Sequence, residues 1–150
     1  MKARVWLRIA AALQALGTVG HTLNTASGAA THGSQEQAVF DAMQTFHFEV
    51  MGATRTVWDF YRGYEFSITV IFAMMSVIIW LLGSLSVASP RQALSLVATI
   101  FVSEVLLGIL SWTYFFAGPG VMSILICVCL ALAMVSLSQE DTGASRAPSS

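Results

Sequence analysis

Glu104 is the residue in this chain best placed to do chemistry. It lies near the middle of an apolar run of about residues 92–116. On insertion scales, an acidic side chain at that depth of a membrane costs about 2.5 to 3.5 kcal/mol unless it is paired or protonated. Three uses stay open: a neutral carboxyl bonded to Gln14, Thr18 or Ser76 as inter-helix glue, a ligand or proton site, or contact with a lipid or protein partner. His21, near the outer end of the first apolar stretch, is a second titrating group. It can be satisfied by a hydroxyl or backbone partner, or can share a polar site with Arg55, Arg62 or Glu65. The run RTVWDFYRGYE, Arg55 to Glu65, packs four charges and four aromatics into eleven residues. Arg55, Asp59, Arg62 and Glu65 recur every three or four positions, so on a helix they can pair down one side. Trp58, Tyr61 and Tyr64 are ring types that settle where hydrocarbon meets water. The run therefore reads as an interface collar, or as a polar mouth over an intramembrane cleft in which the two arginines hold an anionic head group. The candidate ligand-binding set is His21, Arg55, Trp58, Asp59, Tyr61, Arg62, Glu65 and Glu104.

Several other chemistries find no support. His21, His32 and His47 are far apart in sequence and none sits in an H-E-x-x-H pattern, so no metal site is expected. Cys127 and Cys129 point about 200° apart on a helix, which makes them apolar fillers and not a disulfide or a metal pair. No serine stands in a G-x-S-x-G elbow and no glycine-rich loop offers to hold a nucleotide, so no catalytic residue and no cofactor is assigned. With a formal net charge of −1 and no basic run, nucleic acid is not an expected partner.

The elements that must position these residues follow from composition. The 150 residues are 56% hydrophobic and only 10% charged, whereas soluble domains carry roughly 25% charged residues. A chain of this kind belongs in lipid, and a spanning helix takes about 20 mostly apolar residues. The expected fold is all-α, a polytopic membrane four-helix bundle with spans at about 5–25, 61–85, 92–116 and 121–137. The first span carries Gln14, Thr18, His21 and Thr25 as a polar stripe along one face. Its basic start and apolar middle also resemble a secretory signal, although a segment destined for removal has no use for such a stripe. ASGAATHGSQ, residues 26–35, reads as a loop, and about 35–56 as one amphipathic helix lying along the interface or over the bundle's mouth. Pro90 is suited to open the third span, AGPG at 117–120 reads as a tight break, and residues 139–150 as a disordered polar tail.

Loop charges set the expected orientation. With both termini in the cytoplasm, Lys2, Arg4, Arg8, Arg91 and Arg146 lie inside and Arg55 and Arg62 outside. The positive-inside rule favours that arrangement, a multi-pass protein of the inner (cytoplasmic) membrane.

TRTVWDFYRGYEFSITV after an amphipathic segment, the pair His21 and Thr22, and SWTYFFAGP at the end of the third span together resemble a family of small four-span bacterial membrane proteins. A looser similarity extends to the DoxX-like membrane proteins. The resemblance covers roughly residues 5–135, is most specific at Trp58 to Gly63, and implies architecture without an activity. Glu65 departs from the pattern, which has a small or apolar residue there.

Two functional expectations follow. One is a non-enzymatic membrane protein that binds a lipophilic molecule, such as a lipid or quinone, or that packs as an accessory subunit beside other membrane proteins. The other is an intramembrane enzyme or proton-coupled carrier that uses Glu104 and His21 as titrating groups.

Overall fold

The computed structural model describes residues 2–27 and 31–145, with side chains through residue 139. Its elements are α1 (Lys2–Ser27), α2 (Ser34–Thr45), β1 (His47–Val50), β2 (Ala53–Thr56), α3 (Val57–Ala88), α4 (Pro90–Tyr114) and α5 (Ala117–Ser145). The described chain is thus helical apart from one short hairpin. Among the described residues, three helices are long and apolar enough to cross a membrane: α3, α4, and α5 over Ala117–Gln139. α1 has 26 residues, about 39 Å at 1.5 Å per residue. It falls outside that apolar class because Gln14, Thr18, His21, Asn24 and Thr25 interrupt it.

The chain divides into two compact units. The first takes residues up to Gly17 and from Phe72 onward, and the second takes Thr18–Ile71, so α1 and α3 each contribute to both.

In the first unit the buried positions follow steps of three and four. α1 buries Ala3, Leu7, Ala10 and Gln14; α3 buries Ile79, Leu82 and Ser86; α4 buries Ala93, Val97, Ile100 and Glu104; α5 buries Ser123, Ile126, Leu130, Ala133 and Leu137. That repeat is the seam of helices packed nearly parallel or antiparallel. Many of the inward residues are small or polar. Larger ones face out: Val77, Leu81, Leu106, Ile109, Leu125 and Val128 are all at least 45% exposed. Water would penalise such a surface heavily, whereas lipid tails are as apolar as these side chains and leave packing to be driven by close approach at small residues. Gly108 on α4 faces Ser123 on α5, and a Cβ there would stand 3.3 Å from the Ser123 Cβ. α4 and α5 turn back on each other through Phe115 and Phe116 alone. The break therefore comes earlier than expected. AGPG forms the start of α5, where Pro119 is tolerated because N–H groups in a first turn lack intrahelical partners. Pro90 does open α4. The helix α5 runs on to Ser145, into the segment read as a disordered tail, and residues 146–150 lie outside the described residues.

The second unit corrects the amphipathic segment. The helix expected over 35–56 covers only Ser34–Thr45, and an antiparallel hairpin follows with His47 opposite Thr56 and Val50 opposite Ala53. The two turn residues, Met51 (φ 50°) and Gly52 (φ 82°), both have positive φ, as a tight two-residue hairpin turn with the right twist requires. Phe46, Phe48 and Phe60 stack in a row, with ring centroids 6.2 and 5.7 Å apart, which ties the hairpin to the start of α3. At the head of α2, Glu36 accepts the backbone N–H of His32, and that bond with the His32 ring beside it holds the Glu36 carboxyl below the usual range. Of the loop expected at 26–35, residues 28–30 lie outside the described residues, and Ser27 already belongs to α1.

Close approach at Gly108 yields a paired expectation. Gly108→Leu should force α4 and α5 apart and lower stability by about 1–3 kcal/mol, the usual range for overpacking. Gly20→Ala should be tolerated, since nothing lies within 4 Å of the added Cβ. Denaturant unfolding of both variants in detergent checks this.

Candidate functional site

The collar is assembled from the parts of α1, α2, β2 and α3 that belong to the second unit. α3 starts at Val57 because Thr56 and Asp59 close its first turn reciprocally: the Thr56 N–H donates to Asp59 Oδ2 at 2.8 Å and the Asp59 N–H donates to Thr56 Oγ1 at 3.1 Å. This is a capping box with an aspartate in the third helical position. The expected four-charge stripe is corrected accordingly. Arg55 is on β2, not on the helix, and its guanidinium donates to the Thr54 carbonyl at 2.8 Å, while the Asp59 carboxylate serves the helix start.

Arg62 is the centre of what remains. Its Nη1 donates to the carbonyl of Thr25 at 2.5 Å and to Glu65 Oε2 at 3.0 Å. The last carbonyls of a helix have no partner within it, and the final turn of α1 carries no basic residue of its own. Arg62 supplies that missing cation from α3, where the helix dipole also favours it. Its guanidinium carbon stands 4.7 Å from the Phe66 ring centroid and 5.9 Å from that of Trp58, within range of a cation–π attraction. Trp58 stacks on Tyr61 at 5.4 Å and meets Phe40 of α2 edge-on at 5.7 Å. Tyr61 in turn neighbours the Glu65 carboxylate one turn on. Further back on α1, His21 Nδ1 is hydrogen-bonded to Thr69 Oγ1 at 3.1 Å, a hydroxyl partner of the kind the sequence allows.

The structure therefore brings together Arg62, Glu65, Tyr61 and Trp58, with Thr25 as a member that hydropathy alone does not single out. Thr25 is 2% exposed and its own hydroxyl oxygen lacks a hydrogen-bond partner among the described residues. A second feature not read from the sequence is a shallow apolar groove of about 440 Å³ lined by Ala38, Val39, Ala42, Met43, Phe46 and Val57. Its residues do recur at helical spacing along α2, but the part contributed by Val57 depends on the hairpin.

Glu104 belongs to the first unit and lies 2% exposed on the buried face of α4, between Ile100 and Gly108. Its Oε1 has no hydrogen-bond partner among the described residues. Of the partners expected for it, Ser76 donates its hydroxyl to the Phe72 carbonyl at 2.9 Å. Among the described residues, no three His, Cys, Asp or Glu side chains are grouped to hold a metal ion.

The Arg62 contacts generate a local expectation. Arg62→Gln removes a charged donor from the Thr25 carbonyl, an interaction of about 1.5–3 kcal/mol, so the backbone amides of His21–Ser27 should exchange faster while those of α4 stay protected. Hydrogen exchange followed by mass spectrometry reads both regions in one experiment.

Compared with protein families, characterised proteins and solved structures, the chain matches none.

Proposed function

We propose that this chain is a four-span integral membrane protein that holds a lipophilic molecule through the carboxyl of Glu104 without carrying out chemistry on it. The observation that carries the reading is the orphaned Oε1 of a nearly fully buried carboxyl in the middle of α4. A buried acceptor left without a partner is costly, and a protonated carboxyl can both donate to and accept from one small polar group. A lipid ester or hydroxyl, or a quinone carbonyl, is such a group, and each comes attached to a tail that the outward apolar side chains favour. Of the collar charges, Arg62 and Glu65 are committed to each other and to the end of α1, Asp59 to the start of α3 and Arg55 to a strand carbonyl, which supports a positioning role for them over an acid–base one.

α1 supplies the fourth span in this reading. Its length suffices for an apolar layer of about 30 Å, and its polar residues then face other helices. The resemblance at Trp58 to Gly63 favours the same plan. The positive-inside count favours both termini in the cytoplasm, with the hairpin and the collar on the opposite side of the inner membrane.

Native mass spectrometry of the protein extracted gently from its own membrane, with lipid analysis of what co-purifies, tests the site. Wild type should retain a lipophilic molecule that Glu104→Leu loses by about tenfold or more, a difference of about 1.4 kcal/mol. The same substitution removes the insertion cost of the carboxyl, so thermal stability in detergent should hold or rise. Equal retention by both proteins, or nothing retained and a loss of stability in Glu104→Leu, would overturn the reading and leave Glu104 as inter-helix glue.

A further inference from the structure

The N-terminal end of the first unit holds a second polar feature, unrelated to Glu104. Arg8 lies in the second turn of α1, and its guanidinium carbon stands 3.5 Å from the centroid of the Trp80 ring on α3. Its Nη2 donates to Ser84 Oγ at 3.0 Å. The side chain fits because α3 has a glycine at the crossing: a Cβ on Gly83 would meet Arg8 Nε at 3.1 Å, Arg8 Cδ at 3.4 Å and the Arg4 carbonyl oxygen at 3.6 Å. The planar guanidinium is thus stacked on one side and tethered at one corner. Its other terminal nitrogen, Nη1, is buried without a hydrogen-bond partner among the described residues.

The surroundings are cationic. Arg4 precedes Arg8 by one helical turn on the same face, Lys2 adds a third positive charge, and α1 has no acidic residue in its first turn. Like charges four residues apart repel each other on a helix, so an anion seated at Arg8 relieves the repulsion and supplies the acceptor that Nη1 lacks. Around it the surface is greasy: Val5, Trp80, Leu81 and Val87 are each more than half exposed.

We propose that Arg8, held by Trp80 and Ser84 and reinforced by Arg4, seats the phosphate of an anionic phospholipid head group. A guanidinium fork matches phosphate oxygens, and with Nη2 on Ser84 it is Nη1 that is left without a partner among the described residues. Tryptophan belongs at head-group depth, and the cytoplasmic leaflet carries the anionic lipids. The exposed apolar residues beside the arginine are what selects a lipid over free phosphate, since only a lipid brings acyl chains to cover them.

The test is a lipid titration of the full-length protein in detergent, read by native mass spectrometry with phosphatidylglycerol and phosphatidylcholine as probes. Wild type should prefer phosphatidylglycerol by about tenfold. Arg8→Gln should abolish the preference, while Arg8→Lys and Ser84→Ala, which leave the charge in place and the helix packing intact, should each reduce it several-fold. An undiminished preference in Arg8→Gln or in Arg8→Lys would overturn the proposal. Displacement of the bound lipid by excess inorganic phosphate would also overturn it, since the site would then belong to the free anion.

Discussion

A backbone in hydrocarbon finds no water to bond with, so every N–H and C=O must be paired within the chain. The long helices pair their own interiors, and the constraint then falls on their ends. Among the described residues, two helix ends are closed by side chains reaching from elsewhere or back on themselves. The last turn of α1 receives Arg62 from α3 at the Thr25 carbonyl, and the first turn of α3 is closed by the exchange between Thr56 and Asp59. The charged residues that look most like a functional cluster in the sequence are, in large part, answering that demand. Glu65 and the rings of Phe66 and Trp58 then hold the Arg62 cation in place.

The same solvent explains which side chains lie inside. Lipid does not drive apolar side chains together, so close contact at small residues and the few buried polar groups must set the packing. Gly83 against Arg8 and Gly108 against Ser123 are such contacts. Glu104 stands out against that background, because it is buried at mid-helix with one oxygen unpaired while the other polar side chains of α4, such as Ser95, Thr99 and Ser103, bond to carbonyls one turn back. A hydroxyl can satisfy itself within its own helix in this way. A glutamate carboxylate offers only acceptors, so it depends on a donor from outside or on a proton.

Much of this was legible in the sequence, and the parts that were not have specific causes. Long apolar runs located α3, α4 and α5, and Pro90 marked where α4 begins. The Arg62–Glu65 pair is a three-residue spacing on a helix and could be read directly. The contact of Arg62 with Thr25 joins residues 37 apart in the chain, which no local pattern carries. The hairpin is hidden because Phe46, Val50 and Met51 continue the helical spacing of Phe40 and Met43, and because Met51–Gly52 lacks the asparagine or aspartate that usually announces such a turn. Without the hairpin, helical spacing puts Arg55 on the same helix as Asp59, whereas it lies on β2. Pro119 looks like a break because proline interrupts helix interiors, but in the first turn of α5 it does not.

A four-span arrangement requires α1 to cross the membrane beside the three more apolar helices. Met51 at the hairpin tip is fully exposed, so a single Met51→Cys, in a chain whose native Cys127 and Cys129 are replaced by alanine, can report its side of the membrane. Labelling with a membrane-impermeant maleimide, in parallel with a cysteine placed at Lys2, decides the matter in sealed vesicles of known orientation. Four spans predict that position 51 is labelled from outside and position 2 only from inside. Labelling of both positions from the same side would mean that α1 does not cross, and would contradict the account.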